Sequence, residues 1–169
     1  NSVVVHSTSV TNDHDLVAIA TFLKTLGTSE GAPAIHYRYD DMVSKKLYAG
    51  RTSSECARIY IDRCSACHRT AGHGYPNVFP PLAGNPVLQE SDATSIAHII
   101  LNGGKLPGVN AAPSLLVMAP YRDILSDKQV ADVVTFIGRS WGNRGAEMTE
   151  AQVAQIRHAT KGEEIPAGE

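Results

Sequence analysis

The residues that most clearly carry chemistry form one short segment. Cys64, Cys67 and His68 lie in Cys-Ser-Ala-Cys-His, with the thiols three residues apart and the imidazole directly after the second thiol. This C-x-x-C-H spacing is typical of c-type haem attachment. Thiols one helical turn apart can add to two vinyl groups of a porphyrin, and the following imidazole can bind the iron. We therefore predict one covalent haem c, attached through Cys64 and Cys67, with His68 as the proximal iron ligand.

Two other kinds of site remain open for the same residues. A thioredoxin-like dithiol would need a βαβ setting, which the hydrophobic pattern does not show. A zinc site drawn from Cys56, Cys64, Cys67 and either His68 or His73 would lack the usual second ligand pair at zinc-finger spacing. With three cysteines, an odd number, the chain does not have the pattern of a disulfide framework.

A haem iron with one imidazole needs a donor at its sixth position. Met118 lies in Leu-Val-Met-Ala-Pro, where Pro120 favours extended backbone for the residue before it. Such a segment suits a sulfur presented from a loop, whereas the other two methionines are worse placed. His73 is too close to His68 in sequence to reach the opposite side of a ring. We predict Met118 as the distal iron ligand; the alternative is an ordinary core methionine.

The elements that must position these residues are predicted to be helices. Apolar residues recur with helical spacing over residues 13–26, 53–64, 92–101 and 127–141, with a shorter fifth segment at 150–159. Capping-box patterns, Thr52-x-x-Glu55 and Ser126-x-x-Gln129, open the second and fourth segments. The intervening Gly- and Pro-rich stretches show no convincing strand. Loops this long usually wrap around something, and with only 6% aromatic residues a prosthetic group would fill the core. We predict an all-α fold.

Composition narrows the class of protein further. The 169 residues are 43% hydrophobic and 19% charged, with 15 Lys and Arg against 17 Asp and Glu. That balance argues against global disorder and against a strongly basic nucleic-acid binder. No apolar run approaches the roughly 20 residues that a membrane-spanning helix needs. Because the chain begins at Asn1, we expect a processed or partial sequence.

Two helical segments of the chain resemble each other. Residues 12–26 align without gaps on residues 126–140, matching Asp13 with Asp127 and Phe22 with Phe136. Chance similarity of two amphipathic helices is one explanation. The other is an internal repeat, from which we predict four regions: residues 1–26 as the closing helix of a preceding haem domain, 27–50 as a linker, 51–145 as a cytochrome c domain, and 146–169 as a tail with a short helix.

Together these motifs give a family resemblance across nearly the whole chain. The haem motif, the segment 79–86 (Phe-Pro-Pro-Leu-Ala-Gly-Asn-Pro), the segment 118–121 and the helix 126–141 resemble a class I cytochrome c domain. More narrowly, they resemble the third, C-terminal haem domain of the triheme cytochrome c subunit of membrane-bound quinone-linked dehydrogenases. Those enzymes use pyrroloquinoline quinone or flavin to oxidise alcohols, sugars or sugar acids.

The resemblance implies a class I cytochrome c fold, with helices and long loops around one haem. It also implies that the Pro80 carbonyl accepts a hydrogen bond from Nδ1 of His68. The fourth predicted helix would cross the second and place Phe136 and Trp141 near Tyr60. Cys56 departs from the family pattern, which tends to have glycine at this helix crossing. It would either widen the contact or act as a small buried hydrophobic residue, and a reactive or disulfide-linked thiol is a further alternative.

His and Met ligation leaves no open iron position, so such a site transfers one electron and performs no bond chemistry. The resemblance implies a relay in the respiratory chain, with no catalytic residues of its own, on the periplasmic face of the cytoplasmic membrane. Electrons would pass from a dehydrogenase catalytic subunit, through other haem domains of the same subunit, to ubiquinone. The alternatives are a free-standing periplasmic monohaem carrier and a haem-based sensor or peroxidase-like domain with a labile sixth ligand.

Overall fold

The computed structural model describes residues 3–26, 37–105, 108 and 116–165. The described chain is mostly helical, which confirms the all-α prediction. A π-helical turn covers Val4–Thr8, and a 3₁₀ turn covers Pro86–Gln89. The helices are α1 (Asp13–Thr25), α2 (Met42–Tyr48), α3 (Glu55–Arg63), α4 (Ser65–His68), α5 (Thr94–Asn102), α6 (Asp127–Gly138) and α7 (Glu150–Ala159). Two short strands, β1 (Gly104–Lys105) and β2 (Val117–Met118), pair in antiparallel fashion.

The chain forms two compact units. The first comprises residues 1–36 and 106–115, and the second comprises residues 37–105 and 116–169. In the first unit, α1 begins with an N-cap in which the Asn12 side chain accepts a hydrogen bond from the Asp15 N–H. None of the α1 residues is buried, and Ile19, Phe22 and Leu23 are each more than half exposed.

The core of the second unit is centred on α6, which packs against α3, α5 and α7. The spacing of apolar residues in α6 buries Val130, Val133, Val134 and Ile137 on one stripe. The predicted capping box is present at the start of α6: Ser126 accepts from the Gln129 N–H, and the Gln129 side chain accepts from the Ser126 N–H.

The start of α3 differs from the prediction. Ser54, rather than Thr52, is the N-cap, and its Oγ accepts a hydrogen bond from the Ala57 N–H at 3.4 Å. Both residue types can cap a helix, and here Ser54 directly precedes the first helical residue. Glu55 instead accepts a hydrogen bond from the Gln129 side chain of α6, so it links the starts of the two crossing helices.

Two features of the second unit were absent from the sequence prediction. The first is α2, a seven-residue helix in which only Leu47 is buried, too little apolar periodicity to reveal a helix. The second is the pairing of β1 with β2, since two-residue strands carry no alternation pattern. From residue 37 onward the predicted linker belongs to this unit: the Tyr37 hydroxyl donates to the Trp141 carbonyl at 2.7 Å, and the Asp40 N–H donates to the same carbonyl at 3.1 Å. Residues 27–36 of that linker lie outside the described residues.

Candidate haem site

The two thiols and the imidazole of the motif lie on one turn of helix. Helix α3 ends at Arg63, and α4 follows directly as a single turn over Ser65–His68. The Cys64 carbonyl accepts hydrogen bonds from the N–H groups of Cys67 at 3.2 Å and His68 at 2.9 Å. Cys64 and Cys67 are free thiols and partly buried. This turn therefore presents two thiols and one imidazole together, as attachment to one edge of a porphyrin requires.

Burial sets the protonation of this turn. It raises the pKa of the Cys64 thiol to about 11, with a smaller contribution from nearby Cys67. Burial also lowers the pKa of His68, against the opposing effect of its hydrogen bond to the Pro80 carbonyl. The imidazole is therefore neutral at pH 7. Its Nδ1 lies 3.1 Å from the Pro80 carbonyl oxygen, and donation from Nδ1 leaves the Nε2 lone pair available for a metal.

The loop after the motif carries Pro80 to His68. The Gly74 N–H donates to the His68 carbonyl at 3.1 Å, and the N–H groups of Leu82 and Ala83 both donate to the Gly72 carbonyl. A Cβ atom on Gly74 would lie 2.3 Å from the Phe79 carbonyl oxygen, and Gly74 has φ +60°. Only glycine permits both this backbone conformation and this approach. The loop is therefore folded back tightly enough to bring a carbonyl group onto the imidazole.

An aromatic cluster supports the loop that follows the haem motif. The Tyr60 ring lies 5.3 Å from Trp141 and 5.6 Å from Phe136, centroid to centroid. The Tyr60 hydroxyl donates to the Arg69 carbonyl at 2.7 Å, and Trp141 Nε1 donates to the Thr70 carbonyl at 3.0 Å. The predicted packing of Phe136 and Trp141 near Tyr60 is confirmed. Tyr60 and Trp141 thus hold the first two carbonyl groups of the turn that follows His68.

Cys56 lies in the first turn of α3 and is only partly buried. Its Sγ is 3.2 Å from the Ser54 hydroxyl oxygen. It belongs neither to a disulfide nor to the buried core of the described residues. The alternative of a small buried hydrophobic residue therefore does not match the partial burial of Cys56.

Met118 is partly buried and packs against the core of the second unit. It pairs with Gly104 in the β1–β2 ladder. Gly103 has φ +82°, and a Cβ atom there would lie 2.6 Å from the Met118 carbonyl oxygen. The glycine thus lets the end of α5 approach the methionine-bearing strand closely.

Tyr121 connects the Met118 strand to the haem motif, a role that the sequence reasoning did not predict. Its hydroxyl donates to the Arg63 carbonyl at 2.7 Å, one residue before Cys64. Its N–H donates to the Ile100 carbonyl at 2.9 Å. The sequence contains the tyrosine next to Met-Ala-Pro, but nothing in its spacing indicates a partner almost sixty residues earlier. The structure therefore ties the two predicted axial-ligand segments together through one side chain.

The donors present suit a c-type haem. The thiols of Cys64 and Cys67 and the neutral, oriented imidazole of His68 share one turn. The Met118 thioether lies on a segment that is hydrogen-bonded to the residue before that turn. Imidazole and thioether are established iron ligands in cytochromes. Within residues 3–26, 37–105, 108 and 116–165, no group of three or more His, Cys, Asp or Glu side chains could hold a metal ion. The zinc alternative therefore has no ligand set there. In the same ranges no helix has the length and apolar character needed to span a bilayer.

A helical fold that carries the thiols and imidazole on one turn, with a methionine strand tied to it, is that of a c-type cytochrome domain. The cytochrome c family model matches residues 53–141, and the chain belongs to this family. Members of the family carry covalently attached haem c, and this membership confirms the predicted fold class.

Curated relatives narrow the resemblance. The chain is 43% identical over 157 residues to the gluconate 2-dehydrogenase cytochrome c subunit of Pantoea cypripedii, covering 92% of this chain and 35% of that protein. It is 43% identical over 157 residues to the cytochrome c subunit of the quinone alcohol dehydrogenase of Gluconacetobacter polyoxogenes, covering 92% and 33%. The corresponding Gluconobacter oxydans subunit is 36% identical over 158 residues, covering 94% and 33%. The chain spans about a third of the length of these relatives. By name, the relatives are cytochrome subunits of dehydrogenases.

Proposed function

We propose that this chain binds one covalent haem c and relays single electrons from a periplasmic dehydrogenase toward membrane ubiquinone. Cys64 and Cys67 would form the thioethers, and His68 and Met118 would be the axial ligands. The observation that carries this assignment is the 3.1 Å contact between His68 Nδ1 and the Pro80 carbonyl, on the same turn as two free thiols. Bound haem supplies iron that accepts and releases one electron.

The protein's own residues set the properties of that centre. The Pro80 carbonyl holds the imidazole in one tautomer and orientation and increases its basicity. Met118 would fill the sixth position and so exclude substrate and oxygen, and a thioether raises the reduction potential relative to a second histidine. The buried Tyr60 and Trp141 and the half-buried Phe136 pack together and support the loop after the haem motif.

The relatives support a dehydrogenase partner. Their names describe cytochrome subunits of gluconate and alcohol dehydrogenases, and this does not favour a free-standing monohaem carrier. Ubiquinone as the acceptor, the periplasmic location and membrane association through partners belong to the proposal. So do other haem domains within the same subunit.

We propose that a preceding haem domain covers the exposed side of α1. The helices α1 and α6 begin at aligned positions, Asp13 and Asp127. Their N-caps, Asn12 and Ser126, are also aligned, and each accepts from the N–H group three residues later. In α6 the positions aligned with Ile19 and Leu23 are buried, whereas in α1 both residues are more than half exposed. This difference is expected if α1 closes another domain as α6 closes this one.

The iron ligands can be tested with two methionine variants of the haem-loaded chain. Met118→Leu should let the ferrous protein bind carbon monoxide readily and should lower the reduction potential, because the thioether is lost. The matched control is Met148→Leu, which alters a buried core methionine and should leave carbon monoxide binding unchanged. If the unsubstituted protein binds carbon monoxide as readily as Met118→Leu, a sensor or peroxidase-like role replaces electron transfer.

The relay and the domain arrangement need a separate measurement on source-cell membranes. Haem staining and intact mass should show a polypeptide about three times longer that carries three haems. Adding gluconate or an alcohol should reduce those haems, and a ubiquinone analogue should reoxidise them. A polypeptide with the mass of these 169 residues and one haem would instead establish a free-standing carrier.

A further inference from the structure

The C-terminal end of α5 joins the methionine strand to the C-terminal segment, residues 160–165. The last four carbonyl groups of a helix have no partner within that helix. At α5 each of them accepts an N–H group: the first from the C-cap residue Gly103, and the other three from further along the chain. The pairs are Ile99 with Gly103 at 2.9 Å, Ile100 with Tyr121 at 2.9 Å, Leu101 with Arg122 at 3.1 Å, and Asn102 with Ile165 at 2.7 Å. Two of these donors follow Met118 closely, and one belongs to the C-terminal segment.

The Arg122 side chain makes a second connection to the same segment. Its Nη2 donates to the Asn102 side-chain oxygen at 2.5 Å, and to the Thr160 carbonyl and hydroxyl oxygens at 2.9 and 2.7 Å. Its Nη1 donates to the Arg157 carbonyl at 2.6 Å. Its Nε forms an ion pair with Glu164 at 2.5 Å. The Arg122 side chain is only 10% exposed, so this guanidinium is held in place from several directions.

Met118 packs against the core, but the strand pairing that carries it is short. The β1–β2 ladder is two residues long on each side, and a ladder of that size has marginal stability by itself. Strand β1, the partner of the Met118 strand, is attached to the end of α5 through Gly103. Strand β2, which carries Met118, is followed along the chain by Tyr121 and Arg122, whose N–H groups donate to carbonyl groups at the same end of α5. The position of Met118 therefore depends on how firmly the end of α5 and Arg122 are fixed.

We propose that the C-terminal segment is a positioning element for the distal iron ligand, with Glu164 acting through Arg122 to hold Met118 in place. The inference rests on the proposed ligand role of Met118. Loss of the Glu164 carboxylate would leave a nearly buried guanidinium without its counterion, which is unfavourable. Arg122 would then shift toward water and release the adjoining strand. The sulfur would spend a larger fraction of the time away from the iron.

The experiment measures how readily imidazole displaces the sixth ligand of the oxidised, haem-loaded chain. Apparent affinity scales with the fraction of molecules whose iron position is open. Glu164→Ala should raise the apparent imidazole affinity by roughly twofold to fivefold, the range expected when a partly exposed ion pair is lost. A chain ending at residue 159 should show a larger increase. The matched control is Glu147→Ala, which removes a 72% exposed carboxylate 3.5 Å from Arg139 and should leave the affinity unchanged.

The unfolding midpoint, measured on the same samples, separates positioning from simple stabilisation. A purely structural role for Glu164 would lower the midpoint without changing imidazole affinity, and that result would overturn the inference. The Met118→Leu variant separates this failure from failure of the proposed function. If that variant has an open iron while Glu164→Ala and the truncated chain behave like the parent, only the positioning role is refuted. If Met118→Leu binds imidazole no better than the parent, Met118 is not the ligand and both proposals fail.

Discussion

Gly72 allows the loop after the haem motif to lie against Trp141, and replacing it tests how the site is built. Its φ is +68°, and a Cβ atom there would lie 2.7 Å from Cδ2 of the Trp141 ring. The Trp141 side chain is 1% exposed and is fixed by its hydrogen bond to Thr70, so the ring has no room to move away. Gly72→Ala therefore combines backbone strain with steric overlap.

Gly50 supplies a matched control within the same unit. Its φ is +67°, and a Cβ atom there would meet nothing within 4 Å. Left-handed strain of about 1–2 kcal/mol, and the smaller gain from restricting the unfolded chain, are common to both alanine variants. Only Gly72→Ala adds the cost of overpacking, about 1–3 kcal/mol. We expect Gly72→Ala to destabilise the protein by about 1–3 kcal/mol more than Gly50→Ala.

Guanidinium-induced unfolding of the haem-loaded protein measures this difference, provided that the m-values of the two variants agree. The consequence should extend to the haem site, because the Gly72 carbonyl accepts from Leu82 and Ala83 and so holds the segment that carries Pro80. A displaced Pro80 carbonyl would weaken the hydrogen bond to His68, lower the basicity of the imidazole and so raise the reduction potential. Equal destabilisation by the two alanine variants would refute the steric argument.

Three further predictions concern other parts of the second unit. Burial raises the pKa of Tyr60, so the folded protein keeps this phenolic proton while the unfolded chain loses it above about pH 10. The free energy of unfolding should consequently decrease by about 1.4 kcal/mol for each pH unit above that value. Urea unfolding at alkaline pH should show this contribution in the parent but not in Tyr60→Phe. Equal pH slopes for the two proteins would contradict the prediction. Asn143→Ala should cost about 2–4 kcal/mol, because the buried amide binds two carbonyl groups, the Gly84 N–H and the Gln89 side-chain amide, which would lose their partner. A thermal unfolding midpoint within error of the parent would refute this. Ser126→Ala should cost about 1 kcal/mol through loss of the α6 cap, whereas Thr52→Ala should cost much less because Ser54 caps α3. Similar unfolding free energies for the two variants would count against the assigned caps.

The haem motif and the main helices could be predicted from the sequence because their signals are local. Adjacent residues carry the thiols and the imidazole, and helical periodicity needs only a dozen neighbouring positions. The predicted α6 capping box matches the structure for the same reason. At α3, by contrast, the cap is Ser54 instead of Thr52, since several hydroxyl residues precede the helix and the pattern alone does not choose among them.

The contacts that hold the site together were not predictable because they join distant segments. Tyr121 reaches the Arg63 carbonyl, Tyr37 reaches the Trp141 carbonyl, and Arg122 reaches Glu164. Each pair depends on where the helices place backbone carbonyls and partly buried charges. Nothing in the local sequence around either member specifies the other.

Local sequence was thus enough to predict the C-x-x-C-H turn, a candidate imidazole ligand, a candidate thioether donor and the main helices that carry them. The tertiary structure was needed to show that residues 37–48 belong to this unit, that Gly72 and Gly74 allow the loop to fold back onto His68, and that the end of α5 joins the Met118 strand to the C-terminal segment. These two groups of features differ in the sequence range of the interactions that form them. Covalent and helical preferences act within a few residues, whereas hydrogen bonds between remote segments form only after the hydrophobic core has brought those segments together.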